Sequence, residues 1–362
     1  MNKKVIALAV AAAAAAASSS VHALEVYNDG TNTFSVGGRL AASARFSDGD
    51  SELRNQSSRI NFGYTHALEN GWDIGTRAEW AYDALANSSE GSHVSNRLGY
   101  ITADNEDFGN FTLGKAWSVH YDVTGKTDIF WVYGGDTAGN YDGISGDGGV
   151  HGTGRADDVI QYRNNFYGVQ VGLQYQFQDS NLSRDGQGNI TGGYDRDYGY
   201  QAMLGYDFDT GMGIVGVSGV YGETKFDDRA DAKVANAVIT YENESLYLAA
   251  NYGQFRNHQK ASGSVFEDAR TSGGSNDTIK EATGLELAAT YDINQFQLLA
   301  GYNQLEDDNT SAKQAYATLG VAYFTGPVIL AAEYQIDASS KNAFGSDAGL
   351  DDELALLVRY NF

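Results

Sequence analysis

The stretch Leu354-Ala-Leu-Leu-Val-Arg-Tyr-Asn-Phe362 carries the pattern that decides the fold of this chain. Its side chains alternate between two faces, because successive residues of a β-strand point in opposite directions. One face holds Leu354, Leu356, Val358, Tyr360 and Phe362, and the other holds Ala355, Leu357, Arg359 and Asn361. Such a strand fits the wall of a membrane barrel, with lipid outside and a lumen inside, or the edge of a soluble β-sandwich.

The N-terminus has the features of a secretory signal peptide. Lys3 and Lys4 provide the positive start, residues 5–17 form an apolar run, and Val21-His22-Ala23 is a suitable cleavage site. The run has 13 residues, whereas a helix needs about 20 to cross a membrane. We therefore predict a signal peptide over residues 1–23 and a single mature domain over residues 24–362.

The composition favours strands and tight turns. The chain has 44 glycines, 24 tyrosines, one proline and no cysteine, which excludes a disulfide framework and a thiolate metal site. No later segment is apolar enough to cross a membrane as a helix, so a membrane protein of this sequence must be a closed barrel. Without the two signal-peptide lysines the formal net charge is 22 − 47 = −25. This charge argues against a nucleic-acid partner and predicts a cation-preferring pore.

Sixteen segments show strand alternation, and their connections alternate between short and long. The predicted strands are 33–46, 57–68, 72–83, 96–103, 110–118, 155–163, 168–178, 198–208, 213–224, 231–241, 246–256, 280–291, 296–304, 314–324, 328–337 and 352–362. The longer connections are 47–56, 84–95, 119–154, 179–197, 225–230, 257–279, 305–313 and 338–351. An even strand count with short periplasmic turns and long external loops is typical of a transmembrane barrel. We predict an all-β, sixteen-stranded antiparallel transmembrane β-barrel, which is wide enough to leave an aqueous channel.

The alternation also predicts what faces the lumen. In strand 168–178 a face of glutamines opposes an apolar face, which favours a wet interior. Charged side chains are costly on the lipid face, so the arginines opposite the apolar faces should point inward. These are Arg39, Arg45, Arg59, Arg77, Arg97, Arg155 and Arg163, all on the first six strands. The 119–154 loop lies beside this arc, and either folds inward to oppose the arginines with its acids or covers the mouth.

The chain resembles the trimeric general diffusion porins of Gram-negative outer membranes, the family that includes OmpC, OmpF and OmpU. The resemblance runs from Val26 to Phe362 and is most specific in three places. These are Leu246-Tyr-Leu-Ala-Ala-Asn-Tyr-Gly253 with Arg256-Asn257, the stretch from Tyr121-Asp122 through Thr127-Asp128 to Gly134-Gly135-Asp136, and Tyr162-Arg163-Asn164.

The resemblance implies that the 119–154 loop folds into the barrel as an eyelet. The family's basic cluster would fall on Arg39, Arg59, Arg97 and Arg155. Its eyelet tyrosine and one eyelet aspartate would be Tyr121 and Asp128. The second eyelet acid, a glutamate in relatives, falls on Val132 after Trp131, which gives a more apolar rim, and Asp136 is a candidate to compensate. The resemblance further implies a homotrimer with loop 84–95 as a latch, lipopolysaccharide around the rim, and recognition of Phe362 by the barrel-assembly machinery.

These features predict an outer-membrane porin for passive diffusion of ions and small hydrophilic solutes, with no catalytic residue, metal or cofactor. An enzyme is disfavoured because the histidines lack metal-ligand spacing and no Gly-x-Ser-x-Gly motif occurs, although His120 and His151 could meet inside the folded loop. A calcium loop over 179–189 lacks the required glycine. A solute-specific, oligosaccharide-binding porin remains an alternative because Trp117, Trp131 and Tyr133 lie near the predicted constriction. An adhesive surface barrel with acidic loops is another alternative.

Overall fold

The computed structural model describes residues 23–86, 93–141, 144, 146–187, 190–260, 263–266 and 278–362. Residues 1–22, almost all of the predicted signal peptide, lie outside this part of the chain. The described strands are β1 (Leu24–Asn28), β2 (Asn32–Ser47), β3 (Asp50–Asn55), β4 (Arg59–Ala67), β5 (Trp72–Tyr82), β6 (Val94–Asn105), β7 (Gly109–Trp117), β8 (Arg155–Phe166), β9 (Val169–Gln176), β10 (Asp179–Ser180), β11 (Ser183–Arg184), β12 (Ile190–Gly192), β13 (Asp195–Asp209), β14 (Ile214–Phe226), β15 (Ala232–Glu242), β16 (Leu246–Arg256), β17 (Glu281–Ile293), β18 (Phe296–Asp307), β19 (Lys313–Thr325), β20 (Val328–Asp337) and β21 (Glu353–Asn361). Two short helices, α1 (Val119–Thr124) and α2 (Gly263–Phe266), lie in the connections.

Sixteen of the described strands form a closed antiparallel barrel. Strands β4 to β9 pair in order, β9 pairs with β13, and β13 to β21 again pair in order. Strand β2 closes the ring because it pairs with β4 on one side and with β21 on the other. The predicted fold class is therefore confirmed. No helix in the described residues has the length and apolar character needed to cross a membrane.

The two ends of the described chain meet along β2. Strand β1 pairs with the first half of β2 and β21 pairs with the second half, so that they follow one another along the same edge. The backbone of Phe362 exchanges two hydrogen bonds with Gly38, of 2.8 and 3.0 Å. A Cβ atom on Gly38 would lie only 2.7 Å from the Phe362 ring and 2.5 Å from the carbonyl oxygen of Arg59. Closure at this point therefore requires glycine.

The period-two pattern separates the outer and inner faces of the wall. In β21, Leu356 and Val358 are 45% and 57% exposed, whereas Leu357 is 2% exposed. Exposed aliphatic and aromatic side chains recur at every second position around the ring. This apolar outer surface fits the hydrocarbon of a membrane, which confirms the prediction made from residues 354–362.

The connections are sorted by length between the two ends of the barrel. Seven connections of two to four residues join strands at one end, here called the turn end, and the longer ones lie at the opposite loop end. One predicted loop was wrong. Segment 47–56 contains β3, which pairs back onto the second half of β2. Between β3 and β4, the backbone of Ser57 adopts a φ of 59°, in the left-handed region. The alternation of the sequence did not predict this irregularity.

Candidate pore constriction

The described part of the 119–154 loop, residues 119–141, 144 and 146–154, lies inside the barrel. It begins with α1, where the Ser118 hydroxyl caps the helix by accepting a 2.9 Å hydrogen bond from the Tyr121 backbone N–H. Val119 and Val123 of this helix are fully buried against inward-facing side chains of β13, β14 and β15, namely Met203, Val220 and Val238. Apolar contact with the inner wall therefore fixes the first turn of the loop.

A carboxylate on the barrel wall binds the tip of the loop. Glu333 of β20 is fully buried and accepts hydrogen bonds from three successive backbone N–H groups, those of Trp131 at 2.6 Å, Val132 at 3.0 Å and Tyr133 at 3.0 Å. Hydrogen bonds to a charged acceptor are stronger than neutral ones. We did not predict this anchor, although the alternation of β20 places Glu333 on the inner face among small residues.

Glu286 of β17 holds the next part of the loop in the same way. Its carboxylate accepts from the Thr137 backbone N–H at 2.9 Å and from the hydroxyl of Thr127. Nearby, the Tyr316 hydroxyl donates to Asp136 at 2.9 Å. Three neighbouring regions of the wall, β17, β19 and β20, thus set the path of the loop across the lumen.

The glutamine face of β9 lies inside, as alternation predicts, but its environment differs from the prediction. The side-chain amide of Gln174 donates to the Gly152 carbonyl at 3.0 Å, and that of Gln176 donates to the Gly149 carbonyl at 2.7 Å. Both glutamines are buried. The returning half of the loop covers this face, so these amides bind backbone rather than open water.

Three histidines lie in the buried contact between the loop and the wall. His120 Nε2 is 3.0 Å from the Asn236 Oδ1 of β15, and the rings of His151 and His258 lie 4.8 Å apart. Burial lowers the pKa of His120 to about 4 and that of His151 to about 3. Across the part of the chain that the structure covers, no group of three or more His, Asp or Glu side chains is placed to hold a metal ion.

Four arginines of β2, β4, β5 and β6 lie around the carboxylate of Glu79, which belongs to β5. The carboxylate of Glu79 forms ion pairs with Arg97 at 2.8 Å, Arg59 at 3.2 Å and Arg77 at 3.2 Å. Arg39 donates from Nε to the Ser57 carbonyl at 2.9 Å and is repelled by Arg59 and Arg97. This group is net positive. Its organising carboxylate, Glu79, was not among the predicted site residues.

A β-bulge turns Arg97 inward. Glu79 pairs with Leu98, but the next residue of β5 pairs with Asn96, so that Arg97 is the extra residue of the bulge. Strict alternation would place Arg97 on the outer face with Ile101, which is exposed. Arg97 therefore points inward, as predicted, but the bulge sets the direction of its side chain and the period of two does not.

Arg155 lies at the base of the loop, close enough to Arg59, Arg97 and Glu79 to interact with their charges. Its guanidinium lies 5.6 Å from the Trp117 ring and 5.9 Å from the Tyr141 ring, and its Nε is 3.7 Å from Asp147 Oδ2. The four predicted basic residues therefore interact through their charges: three lie on β2, β4 and β6, and the fourth packs on aromatic rings at the start of β8.

The predicted eyelet acids are bound to tyrosines. Asp128 accepts hydrogen bonds from the hydroxyls of Tyr121 at 2.9 Å and Tyr141 at 2.6 Å, and Tyr121 stacks on Trp117 at 4.2 Å. Asp136 is exposed in the interior of the barrel and has Tyr316 as its partner. Within the described ranges, neither carboxylate forms an ion pair with an arginine. These two acids of the loop are therefore not in direct contact with the arginines of the wall.

Trp131 and Val132 lie on an apolar surface of the wall. Both are partly buried against a cluster of inward-facing residues of β18 to β21 and β2. The Trp131 ring meets the Phe324 ring edge to face at 5.6 Å, and the guanidinium of Arg359 lies 5.5 Å from the Trp131 centroid. Arg359 was not predicted as a site residue, although it stands on the inner face in the opening stretch of sequence.

Comparisons with known proteins agree with this architecture. The profile of the Gram-negative porin family matches residues 5–343. Porin-like protein L of Photobacterium profundum is 29% identical over 382 residues, covering 100% of both chains. OmpF of Salmonella typhi in complex with daunomycin has a TM-score of 0.75 at 20% identity, covering 94% of this chain and 100% of its own. The trimer form of OmpT from Vibrio cholerae has a TM-score of 0.63 at 16% identity, covering 92% of this chain and 100% of its own.

Proposed function

Because the chain belongs to the Gram-negative porin family, whose members are outer-membrane channels rather than enzymes, we propose that it forms a water-filled channel for passive diffusion of ions and small hydrophilic solutes. The observation that carries this proposal is the 119–154 loop, held inside a closed barrel of sixteen strands. Such a loop narrows a lumen that would otherwise admit large solutes. In planar bilayers we expect ohmic steps of conductance, and a purified protein that passes no current would refute the proposal.

We further propose that the channel prefers cations. The formal charge of −25 for residues 24–362, from 22 − 47, supports an accumulation of cations at the mouths. Arg39, Arg59, Arg97 and Arg155 are the proposed basic side of the constriction, and Tyr121, Asp128 and Asp136 the proposed acidic and polar side.

The reversal potential in a KCl gradient tests the preference. For the wild type we expect a reversal potential with the sign that preferential cation permeation gives. For Asp128→Asn we expect a reversal potential of the same sign and smaller magnitude. This change removes charge while keeping an acceptor for the two tyrosine hydroxyls. An anion-selective wild type would contradict cation preference, and an unchanged potential in the variant would exclude Asp128 from the selectivity region.

A solute-specific porin is the second candidate function. The partly exposed aromatic side chain of Trp131 at the loop tip favours it, because sugars pack on aromatic faces. Maltose and larger maltodextrins added to an open channel separate the two functions. Saturable block at low sugar concentration would favour the specific porin, whereas a decrease in current that follows solute size alone would favour general diffusion.

We also propose a homotrimer, as the Vibrio cholerae structure is described, with lipopolysaccharide around the rim and Phe362 as the residue that the barrel-assembly machinery recognises. The predicted latch loop 84–95 includes residues 87–92, which lie outside the described residues. Electrophoresis without heating tests the assembly. We expect a trimer band for the wild type and a reduced yield when Phe362 is deleted, and normal assembly of the truncated chain would contradict the role of Phe362.

A further inference from the structure

An apolar patch lies in the turn-end half of the barrel interior. Trp131 from the loop and Phe324 from the end of β19 are both partly exposed there, and their rings meet at 68°. They pack, with Phe130 and Val132, on buried side chains of the wall. These buried residues are Ala41, Leu299, Ala322, Ile329, Ala331 and Leu357. The apolar side chains of the inner wall under α1 are buried, whereas Trp131 and Phe324 stay partly exposed.

Guanidinium groups border the patch. Arg359 lies over Trp131, and its Nε donates to Asn361 Oδ1 at 2.7 Å. Arg39 pairs with Asn361 in the register of β2 and β21 and is repelled by Arg359. Of the described carboxylates, none forms an ion pair with Arg39 or Arg359. Two positive charges, those of the buried Arg359 and the partly exposed Arg39, therefore stand beside partly exposed aromatic surface without an ion-pair partner among the described residues.

Hydrogen bonds to Glu333 hold the backbone that carries the Trp131 indole. The backbone N–H groups of Trp131, Val132 and Tyr133 are all bound to Glu333. The tip of the loop is therefore held against the wall, and the Trp131 side chain keeps its place between Phe324 and Arg359. A surface held in this way needs little reorganisation when a solute packs on it.

We propose that Trp131, Phe324, Arg359 and Arg39 form a subsite for organic anions that carry an aromatic ring, such as aromatic carboxylates. The ring of the solute packs on the Trp131 and Phe324 surface, and its carboxylate accepts hydrogen bonds from the guanidinium groups. A small inorganic anion would use only the guanidinium groups, and a neutral aromatic only the apolar surface. The inference rests on the proposed channel function and names a class of solute for it.

Block of single-channel current in KCl tests the subsite with three probes added to both sides. Benzoate has the ring and the charge, acetate has only the charge, and benzamide has only the ring. We expect benzoate to reduce the current at a concentration about tenfold lower than either control, because it alone uses both the aromatic packing and the charge contact.

Variants assign the effect to the subsite. Trp131→Ala and Phe324→Leu should each reduce the preference for benzoate over acetate several-fold, and Trp131→Phe should retain most of it. Arg359→Gln should weaken block by benzoate and leave block by benzamide as it is. Arg256→Gln, a change of the same charge on the exposed outer face, is the matched control and should leave all three blocks unchanged.

Two results would overturn the inference. One is equal block by benzoate and acetate in the wild type, and the other is an undiminished preference for benzoate in both Trp131→Ala and Phe324→Leu. In either case a channel that still conducts KCl leaves the proposed function intact. A wild-type protein without current would instead refute the channel function itself.

Discussion

At the scale of single residues, the inner wall divides its acids between two tasks. Glu286 and Glu333 accept backbone N–H groups and hold the loop, whereas Glu79 neutralises part of an arginine cluster. A buried carboxylate needs such partners, because an unpaired buried charge is strongly destabilising. Consequently, the large negative charge of the whole chain says little about the local charge at the narrow part of the lumen.

Glu79→Gln should make the channel more permeable to anions. The change leaves Arg59, Arg77 and Arg97 without their shared counter-ion, so that the positive potential of this wall rises. We expect the reversal potential in a KCl gradient to move toward that of chloride. Glu25→Gln, a change of the same charge on exposed β1, is the control, and equal shifts in both variants would mean that only the net charge matters.

At the scale of elements, the 119–154 loop is a separate unit fastened to the wall by three kinds of contact. Its helix packs on apolar side chains, and its tip donates hydrogen bonds to wall carboxylates. The backbone carbonyl groups of its returning half accept hydrogen bonds from glutamine side chains. Removing one kind of contact should loosen only the segment that uses it. The loop and the barrel can therefore be perturbed independently.

Glu333→Gln should loosen the tip of the loop. The neutral side chain offers one acceptor oxygen in place of two, and its NH₂ group replaces an oxygen that accepts from one or two of the three backbone N–H groups. We expect larger fluctuations of the open-channel current with little change in the thermal stability of the barrel. Glu306→Gln, on an outward-facing position of β18, serves as the control. A current as quiet as that of the wild type would show that Glu333 is not needed to hold the tip.

The contact between loop and wall should weaken in acid. His120 and His151 have a pKa of about 4 and about 3 when folded, against an ordinary value of 6.5, because burial disfavours the charged ring and Arg196 and Arg229 oppose a charge on His151. Their contribution to stability is complete above pH 6.5 and is lost as the pH falls toward 4, since only the unfolded chain then binds the protons.

Thermal unfolding between pH 7 and pH 4 measures this loss. Carboxylates titrate in the same range, so the comparison is with His120→Gln, which keeps polar atoms near Asn236 but cannot be protonated. The variant should lose less stability than the wild type over this interval. Parallel pH profiles for the two proteins would show that His120 does not contribute.

At the scale of the whole molecule, closure of the barrel depends on a contact between residues that are more than three hundred positions apart. Phe362 binds the backbone of Gly38, and β1 extends the line of β21. A closed sheet leaves no edge strand to pair with other chains. The pairing of β2 with β21, which includes the contact between Gly38 and Phe362, therefore closes the ring.

Gly38→Ala should impair closure, because the added methyl group would lie 2.5 Å from the Arg59 carbonyl oxygen and 2.7 Å from the Phe362 ring. Gly219→Ala is the matched control, since its nearest neighbour would be a carbonyl oxygen at an ordinary 3.5 Å. We expect a lower melting temperature and less assembled protein for Gly38→Ala only. Equal stability of the two variants would show that the sheet adapts at Gly38.

The sequence alone determined the barrel. Alternation in segments such as residues 354–362 fixes which side chains face lipid, and the lengths of the connections fix the antiparallel order, because both are properties of neighbouring residues. Only the tertiary structure decided the interior of the barrel. The bulge that turns Arg97 inward interrupts the period of two within β6. The three N–H groups that share Glu333 and the contact of Trp131 with Arg359 join the loop to strands about two hundred residues further along the chain. Such contacts depend on how the loop crosses a closed lumen, and the alternation of neighbouring residues does not predict that path.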